Sequence, residues 1–215
     1  MAISAPAVPG AAEAVRQAVQ ELASEAFVLR KPDQSQLPLV FIRQARQHPF
    51  RFAAADGLNP RVSSFGMLYR SVFLARLLRS QWKDQKMVGL FLPPSVAGAA
   101  ANVAVMLCGK VPVNLNYTVS NEILDSCVKQ CGIRTIVTSR QFLEKVKLVV
   151  PETPIFLEDL AQSKTAGRLF MVFLQATFVP AGLLRRMLGA EPKGSVDDLA
   201  TIIFSSGSTG DPKGV

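Results

Sequence analysis

Histidine is almost missing from this chain of 215 residues: there is one, His48, and Pro49 follows it. Cysteine is scarce too, with Cys108, Cys127 and Cys131 only. Three cysteines do not make a disulfide framework. Cys127 and Cys131 are four apart on an expected helix, but a metal site needs more ligands than that pair and a distant histidine provide. They read as reduced, largely buried thiols of a cytosolic protein. One tryptophan, Trp82, and two tyrosines are too few for a base-stacking platform. Lys/Arg runs interleaved with aromatics and zinc-finger, RNP or homeodomain patterns are absent as well, so nucleic acid is not the expected partner. Long apolar runs are also lacking. The longest, Leu169 to Leu184, has sixteen residues and is interrupted by Gln175 and Pro180, whereas a membrane span needs about twenty. The N-terminus, MAISAPAVPGAAEAV, has neither the basic start nor the apolar stretch of a secretory signal.

What is present points to a folded domain. The chain is 49% hydrophobic and only 19% charged, which supplies a core and argues against disorder. Its net charge of +8 suits an acidic partner such as anionic lipid or an acidic protein.

The most informative stretch is the last, ATIIFSSGSTGDPKGV, Ala200 to Val215. A short apolar strand, Thr201 to Phe204, runs into Ser205, Ser206, Gly207, Ser208, Thr209 and Gly210, followed by Asp211, Pro212, Lys213 and Gly214. Glycines let a backbone approach a ligand closely. Successive free N–H groups make a nest for anions, hydroxyls add donors, and Lys213 adds a positive charge. This combination suits the phosphates of a nucleotide. The P-loop of nucleotide hydrolases does not fit, because it requires Gly-Lys followed by Ser or Thr, and here Pro212 precedes and Gly214 follows the lysine. The plain alternative is a flexible Gly/Ser surface loop.

Upstream, Ala11 to Leu29 reads as an amphipathic helix, with Val15, Val19, Leu22 and Ala26 at helical spacing. Residues 31–38, with two prolines, read as a linker. Helices are expected over Leu39–Gln47 and Ser64–Ser80, with a short strand at Phe52–Ala55. From Met87, strand and helix alternate. Strands are expected at Met87–Leu92, Val111–Leu115, Ile133–Thr138 and Pro154–Leu157. The helices between them are Val96–Cys108, capped by Ser95 and closed by Gly109, Ser120–Gln130, ended by Gly132, and Gln141–Val149. This order predicts an α/β fold with a mostly parallel sheet flanked by helices. Such sheets hold ligands beyond the carboxyl ends of their strands, which is where the Gly-rich loop falls. The segment Lys164–Ala190 stands apart, with apolar clusters flanked by Arg168, Arg185, Arg186 and Lys193. It reads as a helical insertion packed on its own domain. The alternative is a basic, apolar surface resting on anionic lipid or lining a fatty-acyl entrance.

The terminal motif resembles the phosphate-binding signature of the adenylate-forming ligases, which include acyl-CoA synthetases, luciferases and peptide-synthetase adenylation domains. The stretch Met87 to Lys145 is similar to the acyl-ACP synthetase domain of the bifunctional 2-acylglycerophosphoethanolamine acyltransferase/acyl-ACP synthetases. The likeness lies in its Leu-Pro-Pro-Ser turn, the Gly109–Tyr117 segment GKVPVNLNY, and the Cys-Gly-Ile-Arg-Thr run from Cys131. SSFGMLYRSVFLARLL resembles the early helix of these ligases, and residues 1–30 resemble the helical tail of the acyltransferase domain that precedes them. Residues 39–215 would then be the N-terminal portion of the ligase domain. The resemblance implies ATP-dependent activation of a fatty acid to acyl-adenylate, then transfer to acyl carrier protein, or to coenzyme A in a sister ligase. Ser205, Ser206, Gly207, Ser208, Thr209 and Gly210 would hold the β- and γ-phosphates, and Lys213 would neutralise them as pyrophosphate leaves. The family's adenine pocket, acidic Mg2+ ligand, ribose-binding aspartate, hinge and catalytic lysine lie further along than Val215. The chain is therefore expected to be a non-catalytic portion with no metal ligand of its own. It also lacks a His-x-x-x-x-Asp acyltransferase pair, since Ala53 stands where the aspartate would be. The expected location is the cytoplasm, with peripheral attachment to the inner membrane as the alternative, and a membrane-associated non-enzymatic fragment is the reading from another class.

Overall fold

The computed structural model describes residues 11–30, 35–191, 194–205 and 213–214. The chain divides into two compact units, Met1–Gln36 and Leu37–Val215. In the first, helix α1 spans Ala11–Arg30, and the expected apolar stripe of Val15, Val19 and Leu22 is exposed.

The second unit carries the remaining elements. Helix α2, Leu37–Gln47, starts two residues before the expected Leu39. Its Pro38 occupies the first turn, where a missing N–H costs nothing. Strands β1, Phe52–Ala54, and β2, Val62–Ser63, form a small antiparallel pair, of which sequence patterning indicated only the first. Helix α3 covers Ser64–Leu78, and its N-cap Ser63 accepts from Gly66 N. Then come β3 (Met87–Leu90), α4 (Val96–Leu107), β4 (Val111–Asn114), α5 (Asn121–Cys131), β5 (Thr135–Thr138), α6 (Arg140–Val146) and β6 (Thr153–Phe156). Gly132 ends α5 with φ 58°, the left-handed turn for which glycine is suited. Helix α7, Leu157–Gln162, was not apparent from the sequence. The Lys164–Ala190 segment is two helices, α8 (Ala166–Phe178) and α9 (Ala181–Met187), separated at Pro180. Strands β7, Ile202–Ser205, and β8, Lys213–Gly214, close the chain.

The main sheet runs in the order β6-β5-β3-β4-β7-β8. Its first five strands are parallel, and β8 is antiparallel to β7. Side chains alternate between two cores, as the pleat requires. Val88, Leu90, Val137 and Ile155 pack with α2, α3, α4, α8 and α9. Phe91, Val111, Val113, Ile136 and Ile202 pack with α5 and α6. Direction and face are linked. The β3-to-β4 step, and the return from β6 to β7, travel one way with their helices on the first face. The steps through α5 and α6 travel the other way on the second face. A single crossover hand demands this relation. The expected doubly covered α/β sheet is therefore present.

The α8–α9 segment is held on this domain. Val172, Ala176, Leu184 and Leu188 are buried in the first core. From α2, Arg46 donates to the carbonyls of Ala176 (2.7 Å), Gln175 (3.2 Å) and Val179 (2.7 Å), and so satisfies the end of α8. Partial burial holds the Arg46 pKa below its ordinary value. Phe170, Met171, Phe178 and Leu183 stay exposed. Arg185, which the alternative reading of a basic lipid-facing surface would expose, is half-buried and its pKa is lowered by that burial. Among the described residues no helix is long and apolar enough to cross a membrane. All three cysteines are free thiols. Burial pushes Cys108 up to about 12, so it is inert to thiol chemistry near neutral pH.

Candidate functional site

The candidate site is built at the carboxyl end of β7. Parallel pairing of Val113 with Ile202 and of Asn114 with Ile203 seats β7 beside β4. Antiparallel pairing of Phe204 with Gly214 and of Ser205 with Lys213 then closes the chain on itself. The described residues on either side of the expected phosphate-binding stretch, Ser205 and Lys213, are thus paired at the carboxyl end of β7, where ligands of such folds bind. Ser206, Gly207, Ser208, Thr209 and Gly210, expected to cradle phosphate, lie outside the described residues, as do Asp211 and Pro212. Of Ser205 and Lys213 the backbone alone is described. A Cβ added to Gly214 would stand 3.2 Å from Ile202 Cγ2, so β8 is closely packed against β7 there. The donor set expected there, hydroxyls, glycine amides and one lysine, fits a polyphosphate. A magnesium ion would need oxygen ligands, and no group of three or more His, Cys, Asp or Glu among the described residues could hold one.

A polar ladder positions this end of the sheet. Asn102 of α4 and Asn114 of β4 exchange amide hydrogen bonds of 3.0 and 2.9 Å. Asn114 Nδ2 also donates to Thr201 Oγ1 at 3.2 Å, and Thr201 Oγ1 donates to Pro112 O at 3.0 Å. The N–H groups of Val111 and Leu115 point toward the β3 side. By alternation Pro112, which has no N–H, presents that gap to the β7 side, just before the ladder with β7 begins. The proline therefore breaks no sheet bond, and Thr201 supplies the hydroxyl contact to its carbonyl. These three residues were missed by sequence reasoning. The available signal was a lone asparagine inside the otherwise apolar helix VAGAAANVAVML and another at the end of VPVN. Thr201→Val is expected to cost about 1–2 kcal/mol, because Asn114 loses an acceptor and Pro112 O a donor. Thr201→Ser should restore most of it, and denaturant titration measures both.

The carboxyl end of β3 is organised by two caps on α4. Ser95 Oγ accepts from Gly98 N at 3.1 Å, and Asp56 Oδ2 accepts from Val96 N at 2.8 Å. Asp56 Oδ1 also accepts from the Asn59 side chain at 3.0 Å. That side-chain bond, followed by the Val96 bond, holds the Asp56 pKa below the ordinary carboxylate value. Its contribution to stability is therefore complete above about pH 3.9, the unfolded value, and is lost as pH falls through the lower folded value. Asp56→Asn should lower the melting temperature at pH 7. The deficit should shrink as the pH is taken below 4, which thermal melts across that range would show.

A family model described as AMP-binding enzyme matches residues 41–215. The chain belongs to the AMP-binding enzyme family. It is 28% identical over 173 residues to the hybrid PKS-NRPS synthetase poxE of Penicillium oxalicum, covering 80% of this chain and 4% of that protein. In fold it is similar to VinN in complex with 3-methylaspartate, with TM-score 0.62 and 19% identity over 84% of this chain and 46% of that one. It is likewise similar to O-succinylbenzoate coenzyme A synthetase (MenE) of Bacillus subtilis in complex with AMP, with TM-score 0.59 and 20% identity over 81% of this chain and 40% of that one. The chain thus spans less than half the length of each of these proteins. The narrower likeness to acyl-ACP synthetases is not among these findings.

Proposed function

We propose that this chain is the nucleotide-phosphate half of the site of an adenylate-forming ligase that activates a fatty acid and passes it to a thiol, with acyl carrier protein as the acceptor. The carrying observation is a strand pairing. Ser205 and Lys213, which flank the sequence SGSTGDP of residues 206–212, pair with each other at the carboxyl edge of a parallel sheet. In the proposed reaction a carboxylate oxygen attacks the α-phosphorus of ATP, and the bond to the bridging oxygen breaks as pyrophosphate leaves. The thiolate sulfur then attacks the acyl carbon and AMP departs. Catalysis of this kind rests on placing charge where it develops. Ser205 to Gly210 would hold the β- and γ-phosphates by backbone N–H groups and hydroxyls, and Lys213 would offset the charge of the departing pyrophosphate. Mg2+, held by residues later in the ligase, would screen the same oxygens.

The test is fatty-acid-dependent exchange of pyrophosphate into ATP by the complete ligase, followed by thioester formation with each thiol in turn. Exchange with an amino acid or aryl acid but with no fatty acid would overturn the substrate assignment and keep the ligase. Thioester on coenzyme A but not on carrier protein favours the sister reading, which the name of the B. subtilis relative supports. We read the exposed Phe170, Phe178 and Leu183 beside Arg168 and Arg186 as a surface for anionic membrane. Co-sedimentation with anionic vesicles at low salt supports this. Protein that stays in the supernatant makes those residues part of an interface within the ligase.

A further inference from the structure

Between α3, the first turn of α4, α7 and the start of α8 lies a cavity of about 710 Å³. That volume falls within the range of about 300–1,000 Å³ of small-molecule sites. The elements around it begin at strand ends: α4 follows β3, and α7 follows β6.

The walls are largely apolar and include Phe65, Phe73, Leu74, Leu157, Leu160 and Phe173. They are tied together across the gap. The Phe65 and Phe173 rings meet edge to face, with centroids 5.9 Å apart. Tyr69 spends its hydroxyl on Leu169 O at 3.2 Å, so the phenol belongs to the wall.

The charges on this cavity are all of one sign. Arg70 and Lys164 line it, and no aspartate or glutamate does. Arg70 Nη2 donates to a neutral amide, Asn59 Oδ1, at 3.3 Å. A Cβ on Gly66 would stand 3.6 Å from Arg70 Nη1, so the guanidinium lies back along α3 over the glycine that lines the cavity. Neither cation forms an ion pair among the described residues. Apolar walls with unneutralised cations favour an apolar body with an anionic head. A guanidinium still has donors free for a carboxylate.

We infer that this cavity binds a long-chain carboxylate, its alkyl chain between the α3 and α7–α8 walls and its head on Arg70 and Lys164. The inference deepens the fatty-acid reading above and rests on it for the choice of carboxylate. The location rests on the cavity alone.

The test is calorimetric titration of the full chain with sodium dodecanoate below its micellar concentration, with dodecanol and dodecyltrimethylammonium as controls. One saturable site is expected, with at least tenfold weaker binding of both controls. Arg70→Glu with Lys164→Glu should weaken dodecanoate at least tenfold. Both side chains are exposed, so the fold should survive, and circular dichroism checks that it does. Ala161→Trp fills the cavity from its exposed side and should abolish the site. Equal binding of dodecanoate and dodecanol, no loss in the charge-reversed variant, or capture on anionic vesicles without monomer binding would each overturn the inference. Absence of the site alongside fatty-acid-dependent pyrophosphate exchange removes the cavity from substrate binding and leaves the ligase reading standing.

Discussion

Replacing Lys213 by alanine in the complete ligase is expected to slow adenylation about 10²–10³-fold, the range found when a group aimed at developing charge is removed. The half-saturating fatty-acid concentration should change little. The reason is position and charge. Lys213 is paired with Ser205, and in the proposed role a cation rooted there would serve phosphate oxygens rather than an alkyl chain. Because Gly214 is pressed against Ile202, the backbone should keep its place when the side chain is cut. Lys213→Arg keeps the charge and should recover part of the rate, since a guanidinium differs from an ammonium in shape. Pyrophosphate-exchange rates read at saturating and at limiting fatty acid separate the two effects. A Lys213→Ala enzyme with unchanged exchange would take the residue out of the mechanism.

The largest effect on stability is expected at Gly89, in the middle of β3. A Cβ there would stand 2.8 Å from Ile136 Cγ1, 3.1 Å from Ile133 Cγ2 and 3.3 Å from Leu115 Cδ1. Ile136 is fully buried and Leu115 and Ile133 nearly so, so these side chains have little room to retreat. Overpacking a dense core costs about 1–3 kcal/mol and occasionally more. Gly89→Val adds three carbons and should reach the upper end of that range or exceed it. For a chain of this size, about 3 kcal/mol corresponds to a fall of roughly 6–12 °C in melting temperature. Gly89→Ala should cost less. It should cost less still in an Ile136→Ala background, where the nearest atom is gone, because contacting residues couple in a double-mutant cycle. Additive costs would show that the neighbours yield freely and that the glycine serves another purpose.

Much of the architecture was legible in the residues, for identifiable reasons. The run from Met87 to Phe156 alternates apolar stretches with capped helices. Ser95, Ser120 and Gly132 mark boundaries that the structure keeps, because each satisfies backbone groups a helix end leaves free. Elements without such a signal were missed. Strand β2 has two residues, too short for any period to appear. Helix α7 has six residues and no side-chain cap bond. The break between α8 and α9 sits at Pro180, within a stretch whose apolar clusters continue on both sides. The alternative of a basic surface containing Arg185 stays open in the sequence because the local pattern does not say which side of a helix meets the core.

The motif Ser205–Lys213 and its position after an apolar strand are legible in the order of residues alone, because the phosphate role proposed for it draws on glycine, hydroxyl and lysine in close succession. The α/β class was set in the same way, since alternating strands and helices admit few arrangements. The strand order was decided by tertiary structure. It places β7 beside β4 although 87 residues separate Asn114 from Thr201, and it joins these two by a side-chain hydrogen bond. The cavity under α3 was likewise decided there. Its walls come from four helices spread between Phe65 and Phe173, and no local pattern records that distant faces will meet. Periodicity acts over a few residues, whereas burial and pairing act between segments that the chain brings together only on folding.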